Sequence, residues 1–154
     1  MRDEQPEPPV PSVAAIDPDR PGQVLGLADA EFELFSTHGV VQVFEPREVL
    51  FLRGEYACLM YVVESGRVAL DFGGGKPGKV VGARESIGEL ALFIGGHLRT
   101  ATATALERTA VRVIDQALFE TLLQRAPGTV AQFMRRSFGY LVATHDRAFL
   151  RAVA

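Results

Sequence analysis

Short apolar segments alternate with turn residues through the middle of the chain. From residue 40 onward, runs rich in Val, Leu, Phe and Thr are separated by Gly, Pro and charged residues, a pattern typical of antiparallel strands joined by turns. The runs predict seven strands: Val40–Phe44, Val49–Leu52, Leu59–Ser65, Val68–Phe72, Val80–Ala83, Thr100–Ala105 and Thr109–Ile114. We therefore predict an α+β fold that is mainly β, an antiparallel β-roll or jelly-roll sandwich.

Helical periodicity is present on both sides of these strands. Segment Val24–Thr37 mixes apolar positions with Asp and Glu in the manner of a short amphipathic helix. A second helix is predicted over Asp115–Arg125 and ends at Ala126-Pro127-Gly128, because proline and glycine interrupt helices. A third, long helix is predicted from about residue 129 to residue 153.

An apolar stripe runs along this predicted C-terminal helix. Its members recur at three- and four-residue intervals, so they share one helix face: Val130, Phe133, Met134, Phe138, Leu141, Val142, His145 and Phe149. A β-roll of this size cannot cover the whole stripe. The pattern therefore favours a partner helix, most simply the same helix of a second copy in a homodimer. In the alternative interpretation, the helix lies back across its own domain.

Composition limits the class of protein. The chain has 154 residues, 47% of them hydrophobic, which suits one domain with a core, assigned to residues 23–154. Residues 1–22 hold six of the nine prolines and are predicted to be a disordered arm. A net charge of −3 gives no basic surface for nucleic acid. Since there is no membrane-length apolar run and no signal-peptide pattern, we expect a cytoplasmic protein without membrane contact.

The remaining chemistry does not indicate an enzyme. The three histidines are far apart in sequence and lack metal-ligand spacing, and no serine lies in a nucleophile elbow, so we expect neither a metal nor a cofactor. The glycine-rich stretch 73–79 has Val80 where a P-loop needs Ser or Thr, and we interpret it as a hairpin tip. Cys58 is the single cysteine and is expected to be partly buried between strands.

One segment carries the groups needed to hold a phosphorylated sugar. Ser86-Ile87-Gly88-Glu89-Leu90-Ala91-Leu92-Phe93 is followed, after a short interval, by Arg99-Thr100. A helix that opens at Gly88 presents free N–H groups to an anion, and the missing Cβ lets the backbone approach closely. Arg99 can neutralise a phosphate, and Thr100 adds a hydroxyl beside it. Glu89 can accept a hydrogen bond from a ribose hydroxyl.

This arrangement resembles the phosphate-binding cassette of the cyclic nucleotide-binding domain, in the length variant of the bacterial catabolite activators. Phe51-Leu52-Arg53-Gly54-Glu55 and Tyr61–Val68 are similar to two glycine turns of the same family, so that its three structural glycines correspond to Gly54, Gly66 and Gly88. The resemblance implies cassette ligand residues at Gly88, Glu89, Leu90, Ala91, Arg99, Thr100 and Ala101. It also implies nucleobase contacts from the long helix at Thr144 and His145. His145 replaces the family's serine, so it either contacts the base or belongs only to the apolar stripe.

The resemblance implies a stand-alone cyclic nucleotide sensor that signals through its C-terminal helix to an effector protein. Thr144 favours cAMP as the ligand, and Thr100 is compatible with cGMP. The chain begins at Met1 and stops at Ala154, about where the helix-turn-helix of the catabolite activators would start. We therefore expect a complete single-domain product that does not bind DNA.

Two other functions are open at this point. In the first, the domain binds no ligand and serves as a dimerisation or interaction module, in which Glu89 and Arg99 form a structural ion pair. In the second, the domain is a receptor for cyclic di-GMP. Arg84-Glu85 stands where many members of the family have Gly before an acidic residue, and the charge of Arg84 near the pocket mouth would leave room for a larger ligand.

Overall fold

Helices precede and follow a series of short strands. The computed structural model describes the backbone of residues 26–144 and the side chains as far as residue 139. The elements follow in the order α1 (Asp29–His38), β1 (Val40–Phe44), β2 (Val49–Phe51), β3 (Tyr56–Ala57), β4 (Leu59–Ser65), β5 (Val68–Asp71), β6 (Lys79–Val81), β7 (Ser86–Ile87), α2 (Glu89–Phe93), β8 (His97–Leu98), β9 (Thr102–Ala105), β10 (Thr109–Asp115), α3 (Gln116–Arg125) and α4 (Pro127–Thr144). The predicted arm at 1–22 and the predicted helix beyond Thr144, with His145, lie outside the described residues.

These strands form two four-stranded sheets and one two-stranded ribbon. Sheet A has the order β1-β10-β4-β7, sheet B has the order β2-β9-β5-β6, and β3 pairs with β8 in the ribbon. The pairings between these strands are antiparallel. The predicted fold, mainly β and antiparallel with a cassette helix and flanking helices, is therefore confirmed.

Strand β4 is buried on both of its faces. Tyr61 and Val63 belong to the core between the two sheets, whereas Met60 and Val62 belong to a second core beneath the helices. Successive side chains of a strand point to opposite sides, so a strand covered on both sides needs an uninterrupted apolar run. The run Leu59-Met60-Tyr61-Val62-Val63 meets this requirement.

The second core connects the helices through aromatic rings. Phe133 of α4 is fully buried, and its ring meets Phe35 of α1 at 5.0 Å and Phe93 of α2 at 5.9 Å, both edge to face. Phe93 also lies 6.0 Å from Phe119 of α3. Edge-to-face pairs stabilise a core beyond the burial of their surface. The four helices therefore share one ring cluster, formed by Phe35, Phe93, Phe119 and Phe133.

Helix α4 begins earlier than predicted and packs on its own domain. It starts at Pro127, since proline at the first helical position costs no helical hydrogen bond. Ala126 alone separates it from α3. Val130 and Phe133 are fully buried, whereas Phe138 is 54% exposed. The beginning of the apolar stripe is therefore intramolecular, in agreement with the alternative interpretation. Homodimerisation through the rest of the helix stays a prediction.

Other element boundaries also differ from the prediction. Helix α1 begins at Asp29 rather than Val24, because Gly26 forms a β-bridge with Glu85. Strand β9 begins at Thr102 rather than Thr100. The strands β3, β7 and β8 have two residues each, which is too short to show an alternating pattern in sequence.

Turn residues explain several local features. Gly54 and Gly66 have φ of +89° and +90°, a left-handed conformation that glycine adopts without steric cost. The stretch 73–79 links the antiparallel strands β5 and β6, which confirms the predicted hairpin.

Cys58 is exposed, and the expectation of partial burial is wrong. It occupies the single-residue gap in which the chain leaves the ribbon for sheet A.

Glu31 and Arg136 form an ion pair between α1 and α4. Glu31 is fully buried, and its Oε1 accepts a hydrogen bond from Arg136 Nη2. The second carboxylate oxygen and Arg136 Nε are also buried and find no hydrogen-bond partner in the part of the chain that the structure describes. A buried charge that loses its counterion is more costly than the absence of both charges. The ion pair therefore connects the two helices, and removing either partner alone should destabilise the domain.

Replacing Arg136 by Met should lower the free energy of unfolding by about 3 kcal/mol, because it leaves the Glu31 carboxylate buried and uncompensated. The double variant Glu31→Leu/Arg136→Met removes both charges and should recover most of the loss. Urea unfolding followed by circular dichroism measures both effects. Arg67→Met, which breaks an exposed ion pair with Glu107, is the matched control. A double variant that is no more stable than Arg136→Met would contradict this account.

Candidate functional site

The predicted cassette residues surround a small cavity where α2, β8 and sheet B meet. Its volume is about 70 Å³. Six of the nine predicted ligand residues line it: Gly88, Leu90, Ala91, Arg99, Thr100 and Ala101. The other lining residues are mostly apolar: Phe51, Leu70, Phe72, Ile87, His97 and Leu98. The fold thus brings the start of the cassette helix and the Arg99-Thr100 segment to one place, and it adds walls from sheet B.

Gly88 allows the chain to turn sharply into α2. Its φ is +85° and its ψ is +19°, a left-handed conformation, for which a residue without Cβ is suited. A Cβ at this position would collide with Arg99 Nη1 and would lie 3.3 Å from the Leu59 carbonyl oxygen. Gly88 is therefore required both by the turn and by the space that the Arg99 side chain occupies.

Arg99 is the buried cation of the site. The residue is only 6% exposed, and its Nη2 donates a hydrogen bond of 2.9 Å to the Leu59 carbonyl. Its Nε and Nη1 are buried and have no hydrogen-bond partner among the described residues. Burial lowers the pKa of Arg99, while nearby groups that include Tyr61 and Glu89 raise it. A charged guanidinium with unbonded N–H groups in a dry environment is matched by an anion that can accept from them.

Glu89 is buried and does not line the cavity. It is 6% exposed, and its carboxylate accepts a hydrogen bond from the Ser86 hydroxyl. Burial raises the pKa of Glu89, against the Ser86 hydrogen bond and the charges of Lys79 and Arg99, which lower it. Within residues 26–139, the ion pairs do not include one between Glu89 and Arg99. The contact of Glu89 with a ribose stays a prediction.

The two predicted nucleobase contacts lie at or beyond the end of the described chain. Thr144 is the last residue of α4 as described, and its side chain lies outside the described ones. His145 lies outside the described residues altogether. His97, which was not among the predicted ligand residues, also lines the cavity. His97 belongs to the two-residue strand β8, which is too short to give a periodic signal that would place the histidine there in advance.

Arg84 does not lie where the sequence placed it. It forms an ion pair with Asp29, and its guanidinium carbon stands 4.5 Å from the centre of the Phe32 ring. It is not among the residues that line the cavity. Its φ of +68° is a left-handed conformation, and the turn directs the side chain to α1. The expected charge at the pocket mouth is therefore wrong, and Arg84 gives no reason to expect a larger ligand.

Residues 41–126 match the family model of the cyclic nucleotide-binding domain. Because this match covers more than half of the chain and agrees with the fold and the cassette geometry, the chain belongs to the cyclic nucleotide-binding domain family. Membership implies a cyclic nucleotide as the ligand. Within the described residues, no cluster of His, Cys, Asp and Glu could hold a metal ion.

Solved structures are similar to this chain over most of its length. A protein from work on a cyclic-GMP-dependent signalling pathway that regulates bacterial phytopathogenesis is 32% identical, with a TM-score of 0.76 over 79% of this chain and 100% of that one. The catabolite activator protein of Thermus thermophilus is 25% identical, with a TM-score of 0.63 over 76% of this chain and 56% of that one. Both share the antiparallel β-roll with flanking helices.

A curated relative is much longer than this chain. A protein of Rhodopseudomonas palustris named as a potassium channel protein is 35% identical over 85 residues, which are 54% of this chain and 20% of that protein. The chain thus spans about a fifth of the length of this relative. Within residues 26–144, no helix combines the length and the apolar character needed to cross a bilayer.

Gly88→Ala should lower the free energy of unfolding by about 1 kcal/mol more than Gly74→Ala, because the new methyl group forces the Arg99 side chain to shift. Both glycines have positive φ, but a Cβ on Gly74 meets nothing within 4 Å. The pair therefore separates backbone strain from steric collision. Thermal and urea unfolding of both variants measure the difference. Equal losses would show that Arg99 does not need the space above Gly88.

Glu89→Gln should stabilise the unliganded protein near neutral pH, and the gain should shrink as the pH falls toward 4.5. Because burial raises the pKa of Glu89 in the folded state, the contribution of this group to stability is complete below the unfolded pKa and is lost as the pH rises through the folded pKa. Gln keeps the acceptor for Ser86 but does not titrate. Thermal unfolding of both proteins over this range measures the gain, with the exposed Glu120→Gln as control. A gain independent of pH would contradict the assignment.

Proposed function

We propose that this chain is a sensor domain for a cyclic purine mononucleotide. The observation that carries the proposal is Arg99, which lines the cavity, is 6% exposed and keeps Nε and Nη1 unbonded. The phosphate of a cyclic nucleotide carries one negative charge and two free oxygens, so it can pair with this cation and accept from its unbonded N–H groups. The backbone at Gly88, which lies against Arg99 Nη1, and the start of α2 would complete the phosphate site.

Binding would require the cavity to widen. Pockets for molecules of nucleotide size usually measure about 300 Å³ or more, whereas this cavity has about 70 Å³. The walls best able to move are α2, a helix of five residues, and the two-residue strand β8. A displacement of α2 would also give a ribose hydroxyl access to Glu89, which the present wall covers. Ligand binding is therefore proposed to proceed with a shift of α2.

We favour cGMP as the nucleotide. Thr100 lines the cavity next to Arg99, and its hydroxyl can accept a hydrogen bond from the amino group at C2 of guanine, which adenine lacks. The similar protein from the cyclic-GMP-dependent pathway is in line with this choice. The preference for cAMP predicted from Thr144 depends on a side chain outside the described ones. cAMP, the ligand that the sequence favoured, therefore becomes the second candidate.

The signal would leave the domain through α4. Phe93, the last residue of α2, packs on Phe133 of α4 and on Phe119 of α3. Since these rings are closely packed, a shift of α2 cannot leave α4 in place. Phe138 is half exposed on the same helix. We propose that this part of α4 contacts a second copy of the chain or an effector protein, in a manner that depends on the nucleotide.

Arg99→Ala should weaken binding of both cGMP and cAMP by about 30-fold or more, because a buried charge that pairs with the phosphate is lost. Thr100→Ala should weaken cGMP binding more than cAMP binding. Isothermal titration calorimetry with both nucleotides measures these affinities. Arg67→Ala, an arginine with an exposed side chain, is the matched control and should bind like the wild type.

The same titrations separate the other functions. Unchanged affinity in Arg99→Ala would remove the proposed phosphate site. A wild-type protein that binds neither mononucleotide but self-associates would be a ligand-independent interaction module. Binding of cyclic di-GMP in preference to both mononucleotides would identify the domain as a receptor for that ligand instead.

A further inference from the structure

Two aromatic rings from opposite sheets lie beneath the Arg99 guanidinium. Phe51 is at the end of β2 in sheet B, and Tyr61 is in β4 of sheet A. Their rings are stacked, with centroids 5.9 Å apart and an interplanar angle of 17°. The guanidinium carbon of Arg99 stands 4.2 Å from the centroid of Phe51 and 5.9 Å from that of Tyr61. Both rings are themselves buried, Phe51 and Tyr61 each being 7% exposed.

These rings compensate for the hydrogen bonds that Arg99 lacks. Among residues 26–139, Nε and Nη1 are unbonded, and the guanidinium donates to the Leu59 carbonyl through Nη2 alone. A planar, weakly hydrated guanidinium is well suited to stack on an aromatic face, and the attraction is largest where water is excluded. The face of Phe51 therefore stabilises the charge without using the N–H groups, which keeps them available to an anion.

We propose that Phe51, supported by Tyr61, is the positioning residue that holds Arg99 in its phosphate-binding orientation. This inference rests on the proposed function for the identity of the anion. The stacking itself belongs to the unliganded protein. Without the ring face, the guanidinium would lose its support and would need to find solvent or other acceptors before any ligand arrives. The affinity for the nucleotide would then fall, although no group that touches the phosphate has been changed.

Phe51→Leu should weaken binding of cGMP and cAMP about tenfold, the effect of a desolvated cation–π contact. Phe44→Leu is the matched control, because Phe44 is equally buried, at 6% exposed, in the same core cluster. It should reduce stability by a similar amount and leave the affinity within about twofold of the wild type. Phe51→Tyr keeps the ring face and should bind both nucleotides with an affinity close to that of the wild type. Calorimetry gives these values.

A spectroscopic measurement tests the position of Arg99 without any ligand. A guanidinium above a ring face experiences the ring current, so the Arg99 Nε–H proton should resonate upfield of that of the exposed Arg67 in the wild-type spectrum. The shift should persist in Phe44→Leu and disappear in Phe51→Leu. Nuclear magnetic resonance of uniformly labelled protein records it. Should Phe51→Leu fail to fold, the wild-type spectrum by itself still tests whether Arg99 lies above the ring.

The outcomes separate this inference from the proposed function. If Phe51→Leu and Phe44→Leu weaken binding equally, or Phe51→Leu not at all, the positioning role is overturned. The same follows if wild-type Arg99 shows no upfield shift. If the wild type binds neither nucleotide, the proposed function fails, and the ring-current shift alone decides: its presence in the wild type and its loss in Phe51→Leu would uphold the positioning of Arg99.

Discussion

The burial of one guanidinium group constrains the architecture around it. Arg99 is almost fully removed from water, and a cation in that position is tolerated only where neighbouring groups replace its hydration. The guanidinium donates to the Leu59 carbonyl and stacks on the Phe51 ring. The absence of a side chain at Gly88 leaves the space that the guanidinium occupies. These residues come from β4, β2 and the turn before α2. The site is thus a product of the packing of both sheets and not of the cassette alone.

Much of the fold could be predicted because its causes are local. Apolar runs separated by turn residues identified the long strands, and the uninterrupted run of β4 corresponds to its two buried faces. Gly54, Gly66 and Gly88 were predicted as structural glycines, and all three have φ close to +90°. In the cassette, six predicted ligand residues line one cavity, since they lie in two segments with a characteristic spacing.

The features that were not predicted depend on contacts between distant parts of the chain. The side chain of Arg84 is directed by Asp29 and Phe32, more than fifty residues away. Whether Glu89 faces the cavity or Ser86 is a choice between rotamers that sequence spacing does not reveal. Phe51 was part of a glycine-turn motif, but its role under Arg99 depends on the approach of two sheets. Helix α4 starts at Pro127, slightly before the predicted start at about residue 129, and boundary differences of this size are common.

The ion pair of Glu31 and Arg136 has a consequence for the history of this domain. A substitution at either position alone leaves the remaining charge without its partner inside the protein. Lineages that lost the arginine would therefore have had to exchange the glutamate in nearly the same step. The two positions, 105 residues apart in sequence, should consequently covary among natural relatives, either conserved as a charged couple or replaced jointly by neutral side chains.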